Sequence, residues 1–446
     1  MRLFFTYLSS LKSIMVNTRI IGSALEGVLF RIYKRAMYSL NRDHNAEYLD
    51  SVSRQICRIR SELDEYSVQV TRNKSYRILV VIRFLSHGTK AGVVWTLLNL
   101  AIGLSLRGFN VTILTESCDG KARIFEKDGI VIEELPLELQ NSDDLPGFYG
   151  YWNAAVKKRI VRDSESQIFA ISTLAGLETF FKHELPDHLK LITYLVTDHV
   201  IQAQSRTRKN SKRLLHLKRL ERDFLILQNN ILVADSNAIV AALSKILELP
   251  QLPETSKVIH IGWPALTPQE RIDGIPENFF LNIGTVSWRK GTRTLLSAWQ
   301  QLESEETFRH YKLVICGVSG DDFLSELLIR KLVKRNRVVR LSNISEGQKS
   351  YLMKRCKAVV IPSNFESFGI VGLEAMSAGK LIVSTREGGL DEVLPQTILE
   401  FKARSTSELI SQLKQSVSSS VPTYEQQLAK FRISRMIEAF ESLITS

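Results

Sequence analysis

Residues 361–394 read IPSNFESFGIVGLEAMSAGKLIVSTREGGLDEVL, and the order of residue types in this stretch decides the fold. A β-branched run, KAVVIPS at 357–363, meets Pro362 and passes into a polar loop, NFESF. A helical pattern, GIVGLEAMSAG, begins near Gly369, and KLIVST at 380–385 reads as the next strand. Gly388-Gly389 supplies a tight turn beyond it. Strand, helix and strand at this spacing predict a right-handed βαβ unit in a parallel sheet.

The same alternation extends upstream as far as FFLNIGTVS at 279–287, through the helices KGTRTLLSAWQQL, DFLSELLIRKLV and EGQKSYLMKRC and the strands YKLVICG and RVVRLSN. An earlier series starts at YRILVVIRF, residues 76–84, and continues through the apolar helix 91–108, which ends at Gly108. NVTILT follows as a strand, and a turn and a helix are expected before the strand GIVIEEL. QIFAIST, LKLITYLVT, NNILVADS and KVIHIGWP complete the first series, with a helix over AIVAALSKIL. The fold class is α/β: two Rossmann-like, doubly wound parallel-sheet domains facing a cleft. The expected boundaries are a helical, basic extension at 1–75, a first domain at 76–264 and a linker at 265–277 carrying Pro268 and Pro276. A second domain spans 278–422, and a C-terminal helix at 423–446 follows it. In the extension, Leu49, Val52, Ile56, Ile59 and Leu63 recur at intervals of three and four, an amphipathic stripe.

A chain of 446 residues, 44% hydrophobic and 24% charged, has the composition of a globular protein with sizeable cores. Cys57, Cys118, Cys316 and Cys356 are far apart in sequence, with no CxxC. A zinc site or disulfide framework is therefore not expected, and a reducing, cytoplasmic setting fits. The start, MRLFFTYLSSLKSIMV, reads as a retained N-terminus rather than a cleaved leader. Net charge is +12, which favours anionic partners without choosing among them. No recognisable nucleic-acid module accompanies the charge, so no nucleic-acid partner is expected.

The chemistry concentrates in the opening stretch. Ligands of open α/β sheets bind beyond the carboxyl ends of the strands, where NFESF lies. A helix N-terminus offers unpaired N–H groups and a positive dipole, so a diphosphate can rest against Gly369, Ile370 and Val371. Glu374, about one turn into that helix, is placed to accept hydrogen bonds from vicinal hydroxyls such as those of a ribose. Glu366, in the loop, would face a transferred sugar. Taken as an isolated pair, the two glutamates would more simply be solvated carboxylates.

Pro362-Ser363, Glu366, Ser367-Phe368-Gly369, Glu374-Ala375, Gly379, Gly388-Gly389 and Glu392 together resemble retaining glycosyltransferases of the family-4 type, which have the two-domain GT-B fold. The resemblance implies that Glu374 binds the nucleotide ribose, and that Glu366 with the following backbone holds donor sugar and diphosphate. It also covers FLNIGTVSWRKG at 280–291. There the family places Arg after the glycine and Lys before the later one, both on the donor phosphates. Gly284 and Lys290 fit, but position 285 is Thr. Thr285 either weakens the hold on the diphosphate or leaves the role to Arg289 or Arg293. No Asp-x-Asp motif ends a strand, and Asp321-Asp322 read as helix-capping residues. A metal-independent reaction without a cofactor is expected, with a nucleotide sugar as the donor substrate.

The first domain is less informative. RFLSHGTKAG holds His87, Gly88, Lys90 and Gly92 but is not G-x-G-x-x-G, so a dinucleotide fingerprint is not supported. The resemblance implies that this loop faces phosphate and acceptor; His87 is otherwise a plain loop histidine. Asp198 and His199 end a strand near the position where the family carries a sugar-contacting His, or else they secure the loop. Between Arg206 and Arg222 runs a strongly basic stretch. It predicts either a solvated helix face or attachment to an anionic membrane surface, with a lipid-linked or saccharide acceptor and a peripheral location on the inner face of a membrane. The rival to a transferase is a non-catalytic binding or scaffold protein on the same frame, which the altered Gly-rich loop, Thr285 and the extension would favour.

Overall fold

The computed structural model describes residues 44–65, 76–82, 85, 92–117, 120–127, 129–136, 155–156, 158–160, 168–172, 188–195, 222, 230–248, 256–263, 266–320 and 322–446. The start MRLFFTYLSSLKSIMV, the segment 66–75 and the basic stretch from Arg206 onward, apart from Arg222 at its end, lie outside these residues.

The first helix, α1 (His44–Glu65), precedes strand β1 (Arg77–Val81) and helix α2 (Gly92–Leu106). Then come β2 (Asn110–Glu116), β3 (Arg123–Lys127), β4 (Ile130–Leu135), β5 (Ile168–Ser172), β6 (Leu189–Leu195), β7 (Asn230–Ala234), helix α3 (Asn237–Leu247) and β8 (Lys257–Val258). These strands form one sheet in the order β3-β4-β2-β1-β5-β6-β7-β8. Every pairing is parallel except β3 with β4. The helix expected before GIVIEEL is instead the antiparallel edge strand β3. Its pairing with β4 carries an ion pair from Arg123 Nη1 to Glu134 Oε2 at 3.0 Å, and Phe125 turns onto the core.

A second sheet follows residues 266–278, which carry no helix or strand. It consists of β9 (Phe279–Ile283), β10 (Lys312–Cys316), β11 (Val338–Leu341), β12 (Ala358–Ile361), β13 (Leu381–Ser384) and β14 (Leu399–Glu400). Their order is β11-β10-β9-β12-β13-β14, all parallel. Between them run α4 (Thr292–Leu302), α5 (Phe323–Lys334), α6 (Glu346–Arg355), α7 (Ile370–Ser377) and α8 (Leu390–Val393), with α9 (Thr406–Ser418) beyond β14. Asp322 caps α5, its side chain accepting from the Ser325 N–H. Both sheets are doubly wound, and the architecture is GT-B. In the second, chain order reverses between β9 and β12, which makes that pair the topological switch point.

The stripe read in the extension does face inward. Val52, Ile56, Ile59 and Leu63 are buried in one cluster with Leu97, Leu98 and Ala101 of α2 and with Ile437 and Phe440. The last segment is not one helix. Short turns α10 (Glu425–Leu428) and Ala429–Phe431 precede α11 (Ile433–Thr445). The break falls where residues 262–263 pass beneath. The Trp263 N–H donates to the Phe431 carbonyl at 3.0 Å, and a Cβ on Gly262 would lie 2.5 Å from Ile433 Cα. α11 packs on α2, with Phe440 edge-on to Tyr194 of the first sheet.

Candidate active site

Strands β9 and β12 lie side by side, so the loops after them meet beyond the carboxyl ends of the sheet. They are stitched together: the Asn364 N–H donates to the Arg289 carbonyl at 2.7 Å, and Asn364 Nδ2 to the Trp288 carbonyl at 2.6 Å. Gly291 sits where they touch. A Cβ there would come 1.7 Å from the Pro362 carbonyl oxygen, and its φ of 63° already favours glycine. Gly291 is also the N-cap of α4, as Gly369, with φ 107°, is of α7. Neither helix has a side-chain cap hydrogen bond. Two helix N-termini lacking a Ser, Thr or Asp cap therefore start from neighbouring strands at one switch point.

Between the loops lies an ion pair of buried Glu366 with half-buried Lys290. Lys290 Nζ is 2.5 Å from Glu366 Oε1, Arg289 Nη1 is 3.3 Å from Oε2, and Ser363 Oγ donates to Oε1 at 2.6 Å. Burial pushes the Glu366 carboxyl up, but Lys290 and Arg289 outweigh it and hold the group at about 2. Burial lowers the Lys290 ammonium, with Glu366 opposing the fall. The Lys290 stem lies along Gly284, 3.6 Å from where a Cβ would stand. The Glu366 backbone is tied to the glycine turn after β13: its N–H donates to the Glu387 carbonyl at 3.3 Å, and its own carbonyl accepts from the Gly389 N–H at 2.9 Å.

Glu374, on α7, is 2% exposed and turned away from this pair. Lys349 Nζ of α6 is 2.5 Å from its Oε1 and 2.7 Å from Glu346 Oε2, and it lies over the Trp263 ring, 5.8 Å from the centroid. Burial pushes Glu374 up against the pull of Lys349, whereas Glu374 and Glu346 raise Lys349 despite its burial.

Of the residues singled out from sequence, Gly284, Arg289, Lys290, Glu366, Gly369, Ile370 and Val371 come together at the switch point. Arg293 does not: its Nη2 is engaged by Asp322 Oδ1 at 2.9 Å. Of the two arginines left open as stand-ins near Thr285, Arg289 is therefore the one at the pair. Thr285 faces the loop after β10, with its Cγ2 2.7 Å from where a Cβ on Gly320 would stand. Ser367 and Phe368 serve the seam between the domains. The Ser367 carbonyl accepts from Ser236 Oγ at the N-terminus of α3, and the buried Phe368 ring packs on His260 and Phe431. Gly92 opens α2 across the cleft, where a Cβ would lie 2.9 Å from Ile370 Cδ1. His87, Gly88, Lys90, Asp198 and His199 lie outside the described residues. Sequence reasoning missed Lys349 and Glu346, which carry no motif, and the cross-domain role of Glu392. The Glu392 carboxylate caps α3, accepting from the Asn237 and Ala238 N–H groups at 3.1 and 2.9 Å and meeting His260 Nε2 at 3.2 Å.

The model of the family described as glycosyl transferases group 1 matches residues 269–425, which hold the whole second sheet and both glutamates. That stretch is similar to the glycosyl transferases group 1 family. An uncharacterized glycosyltransferase of Methanocaldococcus jannaschii is 35% identical over 144 residues, 31% of this chain and 36% of that protein. The O-antigen chain mannosyltransferase B of Escherichia coli is 35% identical over 120 residues, 26% of this chain and 31% of that protein. The chain thus matches about a third of the length of these relatives. Among solved structures, a sucrose-phosphate synthase from Thermosynechococcus elongatus superposes with a TM-score of 0.66 at 17% identity, covering 83% of this chain and 98% of that one. This last likeness is one of fold. Among the described residues no helix is long and apolar enough to cross a membrane.

Proposed function

We propose that the chain is a retaining glycosyltransferase that moves a sugar from a nucleotide-diphosphate sugar to a hydroxyl acceptor. The observation that supports this best is the convergence at one switch point of two glycine-capped helix N-termini with the Lys290–Glu366 pair, inside the stretch similar to the glycosyl transferases group 1 family. The diphosphate would lie against the N–H groups of Gly369, Ile370 and Val371, its charge offset by the helix dipoles, Lys290 and Arg289. Fixed donors aimed at a leaving group stabilise charge as it develops, without reorganisation at the moment of reaction. Glu374 would take the ribose hydroxyls, and the segment around Glu366 the transferred sugar. Departure of the nucleoside diphosphate leaves oxocarbenium character at the anomeric carbon, and attack from the same face, assisted by the leaving phosphate, retains configuration. This reading assigns no protein nucleophile, metal ion or cofactor.

The acceptor is proposed to be lipid-linked or a saccharide, met from the side of the first domain, with glycolipid or polysaccharide synthesis as the setting and an anionic membrane surface as the platform. A nucleotide-release screen over UDP- and GDP-sugars, followed by nuclear magnetic resonance of the product's anomeric configuration, tests the reading. Release with one donor and retention are expected. Unchanged donor affinity in both Lys290→Ala and Glu374→Ala would sink the site assignment.

A further inference from the structure

Glu374 is contacted from outside its own helix by groups that no motif announces. Lys349 spans Glu374 and Glu346 with one ammonium, so two carboxylates share a single half-buried cation.

We propose that Lys349 is a positioning residue for the nucleotide. Its ammonium, 2.5 Å from Glu374 Oε1, keeps that carboxylate ionised in a buried place so that it can accept hydrogen bonds from a ribose. The proposal rests on the reading of Glu374 as the ribose group. A buried carboxyl without a counter-charge takes up a proton, and a protonated carboxyl donates through one oxygen instead of accepting through both. Lys349 occupies Oε1 and leaves Oε2 for hydroxyls. The charged groups facing Glu374 are Lys349 and Glu346 on α6 and Arg58 on α1; Glu346 alone among them favours the proton. With Lys349 in place, ribose binding is expected to be flat across neutral pH. Without Lys349, burial pushes Glu374 further up, and affinity falls as pH drops through that higher pKa and recovers above it.

The test is calorimetric titration of UDP and GDP into the full chain at pH 6 and 8.5. Wild type is expected to bind one of them equally at both. Lys349→Met should lose roughly tenfold in affinity per pH unit below the raised pKa, a full proton linkage, while Lys349→Arg should match wild type. Should Lys349→Met fold poorly, Glu346→Gln/Lys349→Met removes the repulsion and should show the same profile displaced to lower pH. A loss that is equal at both pH values, or no loss, overturns the positioning role. If Glu374→Gln binds as wild type does, or wild type binds neither nucleotide, the ribose reading itself falls, and this proposal with it.

Discussion

Replacing Lys290 by Met tests the electrostatic centre of the site through stability and rate together. Glu366 is held at about 2, against an ordinary carboxyl value of 4.5. A depression of that size corresponds to about 3 kcal/mol of stability at neutral pH, at roughly 1.4 kcal/mol per unit. Because the folded value is depressed, this stability is fully present above about pH 4.5 and is lost as pH falls toward 2. Lys290 is the largest contributor to the depression, with Arg289 and Ser363 remaining when it is gone. Lys290→Met should therefore cost about 2 kcal/mol, somewhat less than the 3–5 typical of stranding a buried charge altogether. Glu366→Gln strands Lys290 in turn, and the double variant should be less destabilised than the two single changes summed, by about 2 kcal/mol. Urea unfolding at pH 7 measures all four corners of the cycle. In the same proteins, loss of charge opposite the leaving diphosphate should lower turnover by about 100- to 1000-fold, the range seen for a single oxyanion donor. A coupling below about 0.5 kcal/mol would refute the ion pair. Intact turnover in a folded Lys290→Met protein would refute its catalytic part.

Gly388→Ala should destabilise by about 2 kcal/mol or more and weaken donor binding, because its φ is 70° and a Cβ would stand 2.2 Å from the Glu366 carbonyl oxygen; thermal melting and nucleotide titration report both. Glu392→Ala removes the carboxylate that caps α3 from the other domain and should cost about 1–2 kcal/mol. Burial works against ionised Glu392, but hydrogen bonds from Asn237 and Ala238 lower its pKa, so the loss should shrink as wild type is acidified through that depressed value, read by melting at stepped pH. Asp235 is fully buried, and burial pushes its carboxyl well up, so stability should fall as pH rises from the unfolded value toward the folded one. Asp235→Asn should flatten that slope and melt higher at pH 8 than wild type; an unchanged slope would show that Asp235 is not its source.

Much of the frame was legible because period and punctuation agreed. β-branched runs ended by Pro362 or followed by Gly284 and Gly317 mark strands of a parallel sheet, and adjacency of β9 and β12 brings their loops together. Lys290 and Glu366 were thus both legible as candidates at one donor site, though not as an ion pair. Where local pattern was weak, the reading failed. RIFEK is a short edge strand whose partner, β4, lies just beyond it, and nothing in so brief a run separates strand from helix. The last helix kept its apolar period through Arg432, so its break was invisible; the cause is residues 262–263 crossing underneath, a tertiary contact. Lys349 and Glu346 are ordinary surface types in sequence and become informative only when α6 brings them beside Glu374 of α7.

The two glutamates of one loop and helix end in opposite electrostatic settings. Among the described residues, every partner of Glu366 belongs to the second domain, on the strand-end loops after β9 and β12. Two cations and the Ser363 hydroxyl face that one carboxylate. Glu374 instead shares the single ammonium of Lys349 with Glu346. Loss of Lys349 would therefore leave the Glu366 pair intact while letting burial push Glu374 toward its neutral form. It should then register in nucleotide affinity before it registers in the pair at the strand ends.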